Sequence, residues 1–110
     1  MFSAAFIWEP GVYDAEFLSL NAIIEAAAKA SPGFIGVEEW ASDDGKRRNA
    51  TYYWDSMEGI KALASNPSHI EAKQKYAQWY KGYHVVISQV IKSYGDSAFS
   101  HITPNDRNAA

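Results

Sequence analysis

The chain contains no cysteine. Disulfides, thiolate catalysis and cysteine-based metal sites are therefore excluded together. Long apolar runs are missing too: none approaches the roughly 20 residues that a bilayer span needs, so no membrane partner is expected. The first residues, MFSAAFIW, lack the basic lead-in and small-residue cleavage site of a secretory signal, and a cytoplasmic protein is the expectation. An excess of positive charge is also absent. The formal net charge is -3, and of the ten Lys and Arg only Lys46-Arg47-Arg48 cluster. That trio follows Asp43-Asp44-Gly45 and reads as a solvated hairpin tip, so nucleic acid is not an expected partner. The three histidines, His69, His84 and His101, show neither HxH nor HExxH spacing, and no Gly-rich loop follows a strand. Neither a protein-held metal nor a nucleotide cofactor has a motif here. No Ser sits in a nucleophile-elbow context.

The chain has 110 residues, 47% of them apolar and 15% aromatic. One domain with a single core follows from that length, and the ring content is high enough that burying it shapes the fold. The stretch from Asn66 to Tyr94 organises the rest. Asn66-Pro67 is a helix-start pair, with Asn capping free amides and Pro presetting φ at the first helical position. His69, Ala72, Tyr76 and Trp79 (or Tyr80) then recur at three- and four-residue intervals, forming one stripe of a helix over 66–81. Gly82 reads as its stop, and the β-branched run over 83–91 as a buried strand.

Upstream, FSAAFIW over 2–8 reads as a first strand with both faces covered. From Tyr13 the spacing turns helical through Phe17, Leu20, Ile24 and Ala27, with Asp14 and Glu16 in the first turn and Lys29 in the last. Ser31-Pro32-Gly33 ends that helix. A second strand over 34–42 sends Phe34, Gly36, Glu38 and Trp40 one way and Ile35, Val37, Glu39 and Ala41 the other. Asp43-Asp44-Gly45-Lys46 is a hairpin turn, and 48–54 returns as the third strand. Asp55 with Glu58 has the form of a capping box for a short helix whose apolar side is Met57, Ile60 and Leu63-Ala64. Beyond Tyr94 the sequence loses periodicity, and 95–110 is expected to be a polar tail or arm attached to a 1–94 domain.

The order β-α-β-β-α-β, with its second helix split, predicts an α+β ferredoxin-like fold: a four-stranded antiparallel sheet with helices on one face. Its strands are apolar on both faces, so a second cover is needed, and a twofold copy of the chain is the simplest source. With this pattern in place, the chain resembles the antibiotic biosynthesis monooxygenase (ABM) superfamily of dimeric α+β barrels over roughly residues 2–94. The markers are Pro32-Gly33-Phe34, the Tyr53-Trp54-Asp55-Ser56-Met57-Glu58 junction, and Asn66-Pro67-Ser68-His69. The resemblance implies a small pocket in each subunit, between its own sheet and helices. In some members that pocket oxygenates aromatic molecules with O2 and no metal or flavin. Others bind and degrade haem, using an Asn on the first strand with a Trp and a His on the second helical region. FSAAFIW has no Asn, and the expected Trp and His positions fall near Leu63 and Lys73, so haem binding or degradation stands as one alternative reading, and a non-catalytic dimer that binds a small molecule as the other.

His69 is the expected catalytic base. An imidazole at a helix N-terminus favours its neutral form, which can take a proton from a phenol or activated CH. Trp54, Tyr76, Trp40 and Tyr53 are the expected pocket walls, stacking on a flat substrate and orienting its oxygens. Each of these has an ordinary reading beside it: His69 as a helix cap, the rings as core. Asn21 and Asn49 are further polar residues that could line the pocket, with a solvent-facing amide as the leading reading of each. Glu38 and Glu39 are adjacent on a strand and point to opposite faces, so they cannot act as an acid–base pair.

Overall fold

The computed structural model describes residues 1–107. In chain order it comprises β1 (Phe2–Pro10), α1 (Ala15–Ala30), β2 (Phe34–Ala41), β3 (Arg48–Trp54), α2 (Met57–Ala64), α3 (Pro67–Lys75), a 3₁₀ turn (Tyr76–Gln78) and β4 (Tyr80–Gln89). The strands form one antiparallel sheet in the order β2-β3-β1-β4, which is the ferredoxin-like topology.

Local chemistry explains the helix boundaries. The Asp14 carboxylate accepts from the Phe17 amide and so caps α1. Phe17 and Leu20 then turn inward onto Trp79, with Ala72 and Tyr80 packed around them. The Asn66 side chain accepts from the amides of Ser68 and His69, capping α3 as its sequence suggests. Asp55 does not cap α2. Ser56 holds that position without a side-chain bond, because the Asp55 carboxylate lies against Gly33, where a Cβ would strike it. Gly33 has φ +74, a conformation only glycine adopts freely. The Asp55 amide also donates to the Gly33 carbonyl at 2.9 Å, and Trp54 Nε1 donates to Ser31 Oγ at 2.7 Å. The Pro32-Gly33 and Trp54-Asp55 motifs thus meet in space and pin the end of α1 to the end of β3.

In-register pairs Phe2↔Trp54, Ala4↔Tyr52 and Phe6↔Ala50 place one set of residues on the helix-covered face, and Ala5, Ile7, Thr51 and Tyr53 on the open face. Two expectations change. The register of β2 against β3 shifts between Phe34 and Gly36. Phe34 therefore joins Tyr52 and Trp54 on the helix side, while Gly36, Glu38 and Trp40 stay on the open face. The last strand starts at Tyr80, not Tyr83, and Gly82 lies inside it. The helix stops earlier because the Trp79 carbonyl is taken by the Gly11 amide at 2.7 Å. That approach is so close that a Cβ on Gly11 would meet the Trp79 carbonyl oxygen.

The tail has no regular structure through Arg107, yet it folds back on the sheet; residues 108–110 lie outside the described residues. Asp106 N donates to Ser93 O at 2.8 Å, Gly95 N to Asn105 Oδ1 at 3.2 Å, and Asn105 Nδ2 to Ser97 Oγ at 2.8 Å. The loop so closed lays Ile102 on Gly36 and His101 on Glu38, across the open face.

Candidate active site

Between α1 and the sheet lies a cleft of about 460 Å³. Its walls are rings from several elements: Phe6 and Trp8 on β1, Tyr13 and Phe17 at the start of α1, and Tyr52 and Tyr80 on β3 and β4. Phe6 and Trp8 stack at 5.1 Å, Tyr13 and Phe17 at 4.2 Å, and Tyr80 stands nearly perpendicular to the latter pair. Trp8 Nε1 donates to the Tyr13 hydroxyl at 2.9 Å, tying the β1 wall to α1. Polar groups reach the same space from α1 (Asn21, Glu25), β2 (Glu39) and β3 (Arg48). The cleft can therefore hold a flat aromatic and offer it both acceptors and a cation.

Burial pushes the Tyr52 phenol above its ordinary value, and the negative charges of Glu25 and Glu39 push it further. Tyr80 is raised strongly, first by burial and then by Tyr13 and Tyr52. Both remain protonated hydroxyls throughout the neutral range.

Of the residues singled out in the sequence, Asn21 lines this cleft; Trp40 and Asn49 touch its rim, but their pairing turns the side chains to the open face, and His69, Trp54, Tyr76 and Tyr53 do not line it. Trp54 has no exposed surface and is held by Ser31. Tyr76 packs edge-on to Tyr83 at 4.8 Å, outside the cleft. His69 is half-buried at the start of α3, and its Nδ1 is buried with no hydrogen-bond partner. Burial, followed by the Lys73 charge, lowers its pKa, so the ring is neutral near pH 7. Tyr53 and Trp40 instead meet on the open face at Glu38. Tyr53 donates to Glu38 Oε1 at 2.6 Å, and His101 Nε2 lies 2.7 Å from Oε2. Desolvation alone would raise the Glu38 pKa, but hydrogen bonds from Tyr53, His101 and Trp40 and the His101 charge together hold it below the ordinary value. Tyr53 in turn is pushed up to about 12, by burial first and then by Glu38.

Sequence reasoning missed Tyr52, Tyr80, Trp8 and Glu25. Strand alternation was the available signal: Tyr52 and Trp54 share a face, so the helix-side phenol is Tyr52 and not Tyr53.

Solved structures share this architecture. SnoaB of Streptomyces nogalater, a cofactor-independent oxygenase whose structure is that of a mutant form, is 14% identical with a TM-score of 0.67, covering 84% of this chain and 94% of that one. A proposed antibiotic biosynthesis monooxygenase from Nitrosomonas europaea is 14% identical with a TM-score of 0.63, covering 84% and 100%. These likenesses show the fold, that of an α+β chain of ferredoxin-like topology. The family model of the monooxygenase af470-like proteins matches residues 7–88, and the chain belongs to that family. The uncharacterized protein YqjZ of Bacillus subtilis is 38% identical over 64 residues. That match takes in 57% of this chain and 55% of YqjZ, so the chain spans about half the length of that relative.

No group of three or more His, Asp or Glu is placed to hold a metal among the described residues, and no helix among them is long and apolar enough to cross a membrane.

Proposed function

We propose that this protein is a cofactor-independent monooxygenase that takes a small aromatic, phenolic or quinone-type molecule into the cleft between α1 and the sheet. The observation that carries this reading is the cleft itself. Its volume of about 460 Å³ falls within the range of small-molecule sites, and it combines stacked rings with a few convergent polar groups. Membership of a monooxygenase family and the likeness to SnoaB support it. A base removes a proton from a phenol or from an activated CH2, and the electron-rich carbanion or phenolate passes an electron to O2. For a CH2 substrate, one oxygen atom remains as the new carbonyl and the other leaves as water. The carbon supplies all the electrons, so the balance needs no external reductant.

Two carboxylates of the cleft, Glu25 and Glu39, act on Tyr52; Glu25 is engaged by Lys29 at 3.1 Å, so this reading gives Glu39 the role of base. Sequence reasoning assigned that role to His69, whose ring does not line the cleft. Oxygen uptake with a panel of anthrones and hydroquinones separates the two. Glu39→Gln is expected to abolish turnover and His69→Ala to retain it; the opposite result returns the base to His69 and removes the cleft as the site. Haem, the alternative cofactor, fits this cleft poorly. No histidine lines it, and the orphaned Nδ1 of His69 lies elsewhere, so no step is assigned to haem.

A homodimer belongs to the same reading. Strand β4 is an edge strand whose Val85, Val86 and Ile87 are 42%, 41% and 53% exposed. An apolar edge of this length is what a second copy would cover.

A further inference from the structure

We infer that Tyr52 and Tyr80 are the donor pair that grips the oxygen of a bound aromatic, so that the cleft selects hydroxylated or carbonyl-bearing rings over bare hydrocarbons. The inference rests on the placement of substrate in this cleft and goes beyond it by naming what the site reads. The tyrosines near the sheet fall into two groups. The Tyr13 hydroxyl is engaged by Trp8, and the Tyr53 hydroxyl is spent on Glu38. The hydroxyls of Tyr52 and Tyr80 have no protein partner among the described residues, although both rings are half-buried and both line the cleft.

Neither hydroxyl is sealed from solvent, so both are free to donate to a molecule in the cavity their residues line, a polar subsite within aromatic walls. The space in front of them is kept open by Ala50, which shares the face of β3 that carries Tyr52 and also lines the cleft. The Tyr80 ring stands 6.1 Å from that of Tyr13, and Tyr13, Tyr52 and Tyr80 all line the same cleft. Burial keeps Tyr52 and Tyr80 protonated, which makes them donors. The acceptor of a substrate proton would be Glu39 across the same space. As the proton moves from the substrate hydroxyl to the carboxylate, the negative charge moves to the oxygen that the two phenols hold.

Equilibrium dialysis with 1-naphthol and naphthalene tests this without requiring turnover. The measured quantity is the affinity ratio of the two ligands, which cancels their shared stacking. Tyr52→Phe and Tyr80→Phe each keep the ring and remove the hydroxyl, and each is expected to lower the ratio about fivefold; the double variant should bring it close to the partitioning preference of the ligands alone. Tyr83→Phe, outside the cleft, should change nothing. If Tyr80→Phe fails to fold, Tyr52→Phe carries the test alone. An unchanged ratio in the Phe variants, or a wild-type protein that binds neither ligand, overturns the inference. Loss of the ratio in a protein that consumes no oxygen would instead remove the proposed reaction and leave the donor pair standing.

Discussion

Trp54 is wholly enclosed and ties β3 to the end of α1 through Ser31. Trp54→Ala should lower unfolding stability by about 3–5 kcal/mol, read from urea midpoints, since it leaves both a cavity and an unmet acceptor on Ser31. Gly59 faces the same indole, and a Cβ there would overlap it and the Pro32 carbonyl; Gly59→Ala is expected to cost about 1–3 kcal/mol by overpacking.

Protonation adds a pH dependence with a definite sign. Glu38 titrates below its ordinary 4.5 in the folded chain, so its contribution is complete above that value and is lost as pH falls through the depressed one. Tyr53 is raised to about 12; its contribution is complete below the ordinary 10 and disappears as pH rises through about 12. His69 is depressed below 6.5, so it too favours the fold above 6.5 and opposes it as acid forces a proton onto the ring. Urea midpoints of wild type should therefore drop between pH 7 and 5, and His69→Leu should flatten that drop. A drop of equal size in the variant would assign it to other groups.

Among the elements, α3 is short and depends on its cap. Asn66→Ala removes the acceptor for two amides and should cost about 1 kcal/mol, again read from urea midpoints. The capping of α3, the hairpin turn at Gly45 and the order of the elements were legible in the sequence, because each is set by residues within one turn of each other. The faces of β2 were not. One shifted pairing between Phe34 and Gly36 moves Phe34 to the helix side, and nothing local to those residues announces it. The start of β4 escaped for a similar reason: it is fixed by Gly11, far away in the chain. The cleft draws its lining from α1, β1, β2 and β3 and, through Tyr80, from β4, so no spacing within a single stretch could reveal it, whereas His69 stood out because it sits on a readable helix.

For the molecule as a whole, the open face of the sheet is shared between the folded-back tail, seated on β2 and β3, and the bare strand β4. The proposed homodimer should sediment at twice 12.2 kDa, and Val86→Asp should return it to a single chain. A wild-type protein that sediments as one chain at all concentrations would refute the pairing.

The four tryptophans divide evenly by environment. Trp54 and Trp79 are sealed in the interior, with 0% and 1% exposure, whereas Trp40 is 67% exposed and Trp8 lies on the cleft wall. Intrinsic emission should accordingly resolve into a blue, shielded component and a red one that a collisional quencher such as iodide can reach. A molecule entering the cleft would dim only the second, giving the native chain an optical reporter of occupancy without any label.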